Sequence, residues 1–116
     1  MANEITMSFQ TLLNNGGLSD SYSSGSIAID QTTAKMVRNV QTIPTANTAL
    51  SLGSVSTPGV AIFVNLDDTN FVDIGLTGSY FVRLKPGEAF VMRLAGAPFA
   101  LADTASVELF YIIYDD

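Results

Sequence analysis

Apolar residues in this chain occur either in strict alternation or in short unbroken runs, and no long segment keeps a helical period. In ITMSFQTLL, the residues Ile5, Met7, Phe9 and Leu13 sit two or four positions apart, which sets them on one face of a strand. NNGG at 14 to 17 ends it. SIAID (26 to 30), MVRNVQTI (36 to 43) and ALSL (49 to 52) read as short strands separated by Ser, Thr and Asn clusters. TPG at 57 to 59 is a turn, and GVAIFVNL (59 to 66) is apolar on both faces, the pattern of a central strand covered from both sides. DDTN (67 to 70) turns the chain into FVDIG. The strand around YFVRLK meets Pro86 and Gly87, and AFVMRL, APFALA and SVELFYIIY follow.

About eight to ten short strands, with a turn every ~8 to 12 residues, predict an all-β protein. An antiparallel β-sandwich is expected. Eight strands in this length suit a jelly-roll arrangement, with the seven-stranded immunoglobulin-like sandwich as the alternative. At 116 residues and 12.3 kDa, residues 1–116 are expected to form one domain, with residues 1–20 as an extended N-terminal strand or arm. Surface scaling for this mass gives about 6,100 Å² folded against about 17,800 Å² unfolded, enough burial for a core without staples. The halves differ. Residues 1–58 hold 22 Ser, Thr and Asn and five charges, whereas residues 59–116 hold seven and eleven. The second half is the expected core, and the first is expected to supply solvated strands, long loops or an arm that orders against a neighbour.

Charged residues make up 14% of the chain against a usual ~25%, while 47% is hydrophobic. Either the core is well filled or a partner covers part of the exterior. With no cysteine and no histidine, the chain lacks thiol chemistry, the usual general base at neutral pH and the common zinc ligand. A net charge of -6 repels phosphate backbones, so nucleic acid is not an expected partner. MANEITMSF has no basic stretch ahead of an apolar one, and no apolar run approaches the ~18 residues that span a bilayer. The expectation is a soluble, unexported protein without a membrane partner.

Asp67, Asp68, Asn70 and Asp73 could offer oxygen ligands to calcium, but Val72 and the lack of a Gly in register break the EF-hand pattern. A turn whose Asp and Asn side chains bond their own backbone accounts for the same letters. Glu4, Glu88 and Glu108 give no reason to form a glycosidase pair. Thr32 with Lys35 is the nearest approach to a serine-lysine nucleophile, and no G-x-S-x-G or P-loop occurs. No enzymatic activity, metal or cofactor is expected.

RLKPGEAFVMRL, residues 83–94, gathers three of the five basic residues around one turn. Pro86 presets φ at the second turn position and Gly87 supplies the positive φ of a type II turn at the third. A tight hairpin would set Lys85 against Glu88 and Arg83 against Phe90; an arch between two sheets would not. Arg83 and Lys85 project from one face of their strand. They are the candidate contact for an acidic partner, the alternative being plain solvated charges.

The set NLDDTNFVDIG, RLKPGEAFVMRL and ADTASVELFYIIYDD, with the MANEIT start, resembles small structural proteins of tailed bacteriophage virions, over residues 57–116. The resemblance is strongest to capsid decoration (cement) proteins with β-sandwich or jelly-roll folds. It implies a homo-oligomer, dimer or trimer, made in the host bacterial cytoplasm, that binds the outside of the major capsid protein shell and stabilises it. A phage tail or head-fibre-base component is the alternative within that setting. Outside it stands a cupin-like small enzyme or sugar-binding module, whose L-x-P-G-E/D turn is similar but whose metal pocket needs histidines that are missing here.

Overall fold

A computed structural model describes residues 3–116, which form twelve strands and, among the described residues, no helix. The chain divides into two units, residues 1–32 and 33–116. The sandwich expected over residues 1–116 therefore occupies 33–116, and the N-terminal element is a hairpin reaching past residue 20.

In the first unit, β1 (Ile5–Met7) pairs antiparallel with β4 (Ile27–Ile29), and β2 (Gln10–Asn15) with β3 (Leu18–Ser23). The single strand expected over ITMSFQTLL is two, interrupted at Ser8 and Phe9, and NNGG ends the second of them as a hairpin turn: Asn15 opposes Leu18 across Gly16 and Gly17. Gly16 has φ of 58° while Gly17 is not in the positive region, the glycine pattern of a type II′ turn, whose twist matches the flanking strands. At the far end, Asn3 N–H donates to Asp30 Oδ1 (2.8 Å) and Gln31 N–H to Glu4 Oε1 (2.9 Å), closing the ladder with two carboxylates. No described residue of this unit is buried.

The second unit is an eight-stranded antiparallel sandwich. Its strands are β5 (Met36–Ile43), β6 (Thr48–Ala49), β7 (Pro58–Asn65), β8 (Val72–Leu76), β9 (Ser79–Leu84), β10 (Ala89–Arg93), β11 (Phe99–Ala102) and β12 (Val107–Asp115). One sheet has the order β10-β7-β12-β5 and the other β6-β11-β8-β9. Six of the seven connections cross between sheets, and only β8–β9 stays within one, which is jelly-roll topology. The long β7 and β12, both apolar, pair centrally. Their inward residues Ala61, Phe63, Leu109, Tyr111 and Ile113 meet Val72, Ile74, Leu84, Ala100 and Ala102 of the opposite sheet. Opposite Ile74 and Gly75, β9 bulges at Phe81, and a Cβ on Gly75 would run into the Ser79 carbonyl oxygen, so no other residue fits without a backbone shift.

Pro86 and Gly87 form the expected turn: Gly87 has φ of 79°, and Glu88 N–H donates to Lys85 O at 3.0 Å. It is an arch. β9 and β10 lie in different sheets, so the hairpin pairings of Lys85 with Glu88 and Arg83 with Phe90 do not form. Instead the Glu88 carboxylate accepts the Lys85 backbone N–H (2.8 Å).

Candidate functional site

The turn stretch sits on a buried polar anchor. Asn65 is 1% exposed at the end of β7, where its Nδ2 donates to Asn70 O and Leu84 O, both at 3.0 Å, and its Oδ1 accepts from Asp67 N–H at 2.8 Å. Its backbone binds the arch as well, accepting from Gly87 N–H and donating to Glu88 O. One side chain thus fastens both the DDTN turn and the PG arch, with its amide hydrogen-bonding capacity well used.

Arg83 lies on the outward face of β9 and Lys85 follows just past its end, while Val82 and Leu84 point inward. Arg83 is not a free charge. It faces Asp73 on β8 and makes a two-point contact, Nε to Oδ1 at 2.8 Å and Nη2 to Oδ2 at 3.1 Å, with its guanidinium 3.8 Å over the Phe71 ring. The Asp73 hydrogen bond raises the Arg83 pKa further above its ordinary value, with charge from Asp73 and Asp103 adding to it and desolvation opposing. Lys85 is exposed, and among the described residues no carboxylate lies within ion-pair distance of its ammonium. Between them in function stands Phe81, 79% exposed on the same strand face. The patch is therefore one bare aromatic ring beside one neutralised and one open cation.

The acidic residues singled out as calcium ligands are directed elsewhere. Asp67 Oδ2 accepts from Thr69 and Asn70 N–H at 3.0 and 2.6 Å, Asp68 Oδ1 accepts from the Thr69 hydroxyl, and Asp73 holds Arg83. Among the described residues no three His, Cys, Asp or Glu side chains converge on a metal position. Glu108 accepts from the Thr42 hydroxyl and Glu4 closes the hairpin stem.

Sequence reasoning missed two surfaces. The first is β3, LSDSYS, although Leu18 and Tyr22 stand either side of Asp20 at strand spacing and NNGG is a two-residue hairpin signal. Across the β2–β3 ladder, Phe9, Leu13, Leu18 and Tyr22 share one face at 42%, 43%, 60% and 55% exposure, with the Phe9 and Tyr22 rings 5.7 Å apart. The second is the outward face of the β10-β7-β12-β5 sheet. Ala89, Val64, Phe110 and Val40 stand side by side across its four strands, and Val91, Ile62, Ile112 and Arg38 form the next row. Its signal was already present in GVAIFVNL and VELFYIIY, which are apolar on both faces.

No family model, no curated protein and no solved structure matches the chain, so these surfaces themselves are the functional evidence.

Proposed function

We propose that this chain is a bacteriophage virion structural protein, a capsid decoration protein that binds the outside of the major capsid shell and stabilises it. The observation that carries the reading is large apolar surface left uncovered on strands, Phe81 on the sandwich and Phe9, Leu13, Leu18 and Tyr22 on the hairpin. Contiguous exposed apolar surface of this kind marks association sites. The virion setting rests on the resemblance of residues 57–116 to phage structural proteins. Glu4, Glu88 and Glu108 hold separate hydrogen bonds at a ladder end, in the arch and to the Thr42 hydroxyl, which supports binding over a paired-carboxylate chemistry.

Phe81 with Lys85 is the proposed contact for an acidic capsid surface, Arg83 contributing its Asp73-neutralised guanidinium edge. A ligand that binds only the folded, assembled shell raises its stability by about 2.7 kcal/mol at a hundredfold excess over Kd. Capsids heated with saturating protein should therefore melt later than bare capsids, and Phe81→Ala combined with Lys85→Glu should abolish the shift. Equal melting temperatures with and without the protein would reject the decoration role. Hundreds of copies per particle are expected on a shell; a few copies, or a ring multiple, would move the protein to the tail or a fibre base.

A further inference from the structure

The hairpin is a two-faced ribbon. Phe9, Leu13, Leu18 and Tyr22 line one face together with Thr11, Asn15 and Asp20, while Gln10, Asn14, Ser19, Ser21 and Ser23 line the other, broken only by Leu12. A lone two-stranded ribbon is marginal in water, and one face carrying four large apolar side chains is suited to lying on another surface. The β10-β7-β12-β5 sheet presents the complementary case. Its central strands are apolar on both faces, and in the sandwich the opposing sheet covers one of them, leaving Met36 44% and Val40 48% exposed at the other, beside half-buried Ile62, Val64, Phe110 and Tyr114 and buried Ile112.

Charge matches the two surfaces. Residues 1–32 carry Glu4, Asp20 and Asp30 and no Lys or Arg, so all five cations belong to residues 33–116. On the sheet face Arg38 lies over the Phe110 ring, 5.6 Å from its centroid, with no carboxylate within ion-pair distance among the described residues. Size matches too. The six-residue ladder is about 20 Å long, and four strands at ~4.8 Å spacing make a face about 19 Å wide.

We propose that the apolar face of the hairpin docks on the outward face of the β10-β7-β12-β5 sheet in a second copy of this chain. A two-stranded ribbon alone falls well short of the ~800 Å² per partner typical of stable interfaces. In a closed oligomer each copy gives one hairpin and receives another, so both patches are used on every copy. Asp20 and Arg38 then lie within one apolar contact, where opposite charge guides the docking. Docking between copies takes up the hairpin face, so the capsid reading then rests on Phe81 and Lys85, and each is tested without the other.

The absence of native cysteine makes the test direct. Leu13→Cys and Val40→Cys are prepared separately, mixed and oxidised, and run on non-reducing gels. A mixed Leu13→Cys to Val40→Cys dimer should dominate over either homodimer. Light scattering of the native protein should give a multiple of 12.3 kDa. Leu18→Asp should reduce it to monomer with the near-UV spectrum of the sandwich unchanged, and Arg38→Glu, a milder change on the receiving face, should weaken association at least tenfold. The proposal is overturned by a native protein that stays monomeric at millimolar concentration, by Leu13→Cys homodimers outrunning the mixed species, by a double-cysteine variant closing within one chain, or by an oligomer that survives both Leu18→Asp and Arg38→Glu.

Discussion

Residues 3–32 and residues 33–116 are built from the same antiparallel ladders, but only the second set encloses an interior. In the sandwich Phe63, Tyr111, Leu109 and Ile113 are fully buried, and burying one such side chain contributes about 1.5–3 kcal/mol. In the hairpin six cross-strand pairs at roughly 0.2–1 kcal/mol each oppose an ordering cost of about 1–2 kcal/mol per residue. Hydrogen-bonded register alone is therefore not what holds a β element; a second layer is. The hairpin has every local feature of a strand pair and lacks that layer within its own unit.

Hydrogen exchange gives the widest separation between the two regions. Amides of β12 should open only with global unfolding, on the order of 5–15 kcal/mol, while those of β2 and β3 in dilute protein should lie within about 1 kcal/mol of unprotected. Equal protection would erase the contrast. Phe63→Ala should cost the sandwich about 3–5 kcal/mol by leaving a cavity between the sheets, measured by urea unfolding. A loss under 1 kcal/mol would mean that the two sheets do not close on that ring. Asn65→Ala should cost about 2–3 kcal/mol, because Leu84 O and the Asp67 N–H lose their buried partner. Its signature is loosening of both the 66–70 turn and the 85–88 arch, seen as faster exchange there. Gly75→Ala should cost about 1–3 kcal/mol through the clash with the Ser79 carbonyl oxygen beside the β9 bulge. Smallest of all, Leu18→Asp should change sandwich stability by no more than about 0.5 kcal/mol, since nothing in that unit is built on it; a larger loss would show the hairpin to be part of the core.

Much of the sandwich was legible because its period-two alternation and its turn chemistry are local. GVAIFVNL and SVELFYIIY became the two central strands, and Pro86 with Gly87 made the type II turn. The functional surfaces were legible only in part. Arg83 and Lys85 were found as one strand face, but Arg83's engagement by Asp73 depends on β8 and β9 lying side by side in register, which no spacing along the chain states. Lys85 and Glu88 looked like a cross-strand pair; the arch separates the strands and turns the carboxylate onto a backbone N–H instead. β3 was lost because its apolar residues are diluted by serines, and a strand that buries nothing leaves a weak periodic signal.

The amino-acid sequence by itself determined most of the strands, most of the turns and the lack of histidine and cysteine chemistry, since each follows from single residues or from neighbours within a few positions. Only the tertiary structure decided that the turn at 86 and 87 is an arch, that Asn65 anchors two loops, and that the apolar outer rows of β7 and β12 align with Val40 and Val91 into one continuous surface. Those outcomes depend on which strands become neighbours, and sheet order is set by long-range packing rather than by local pattern.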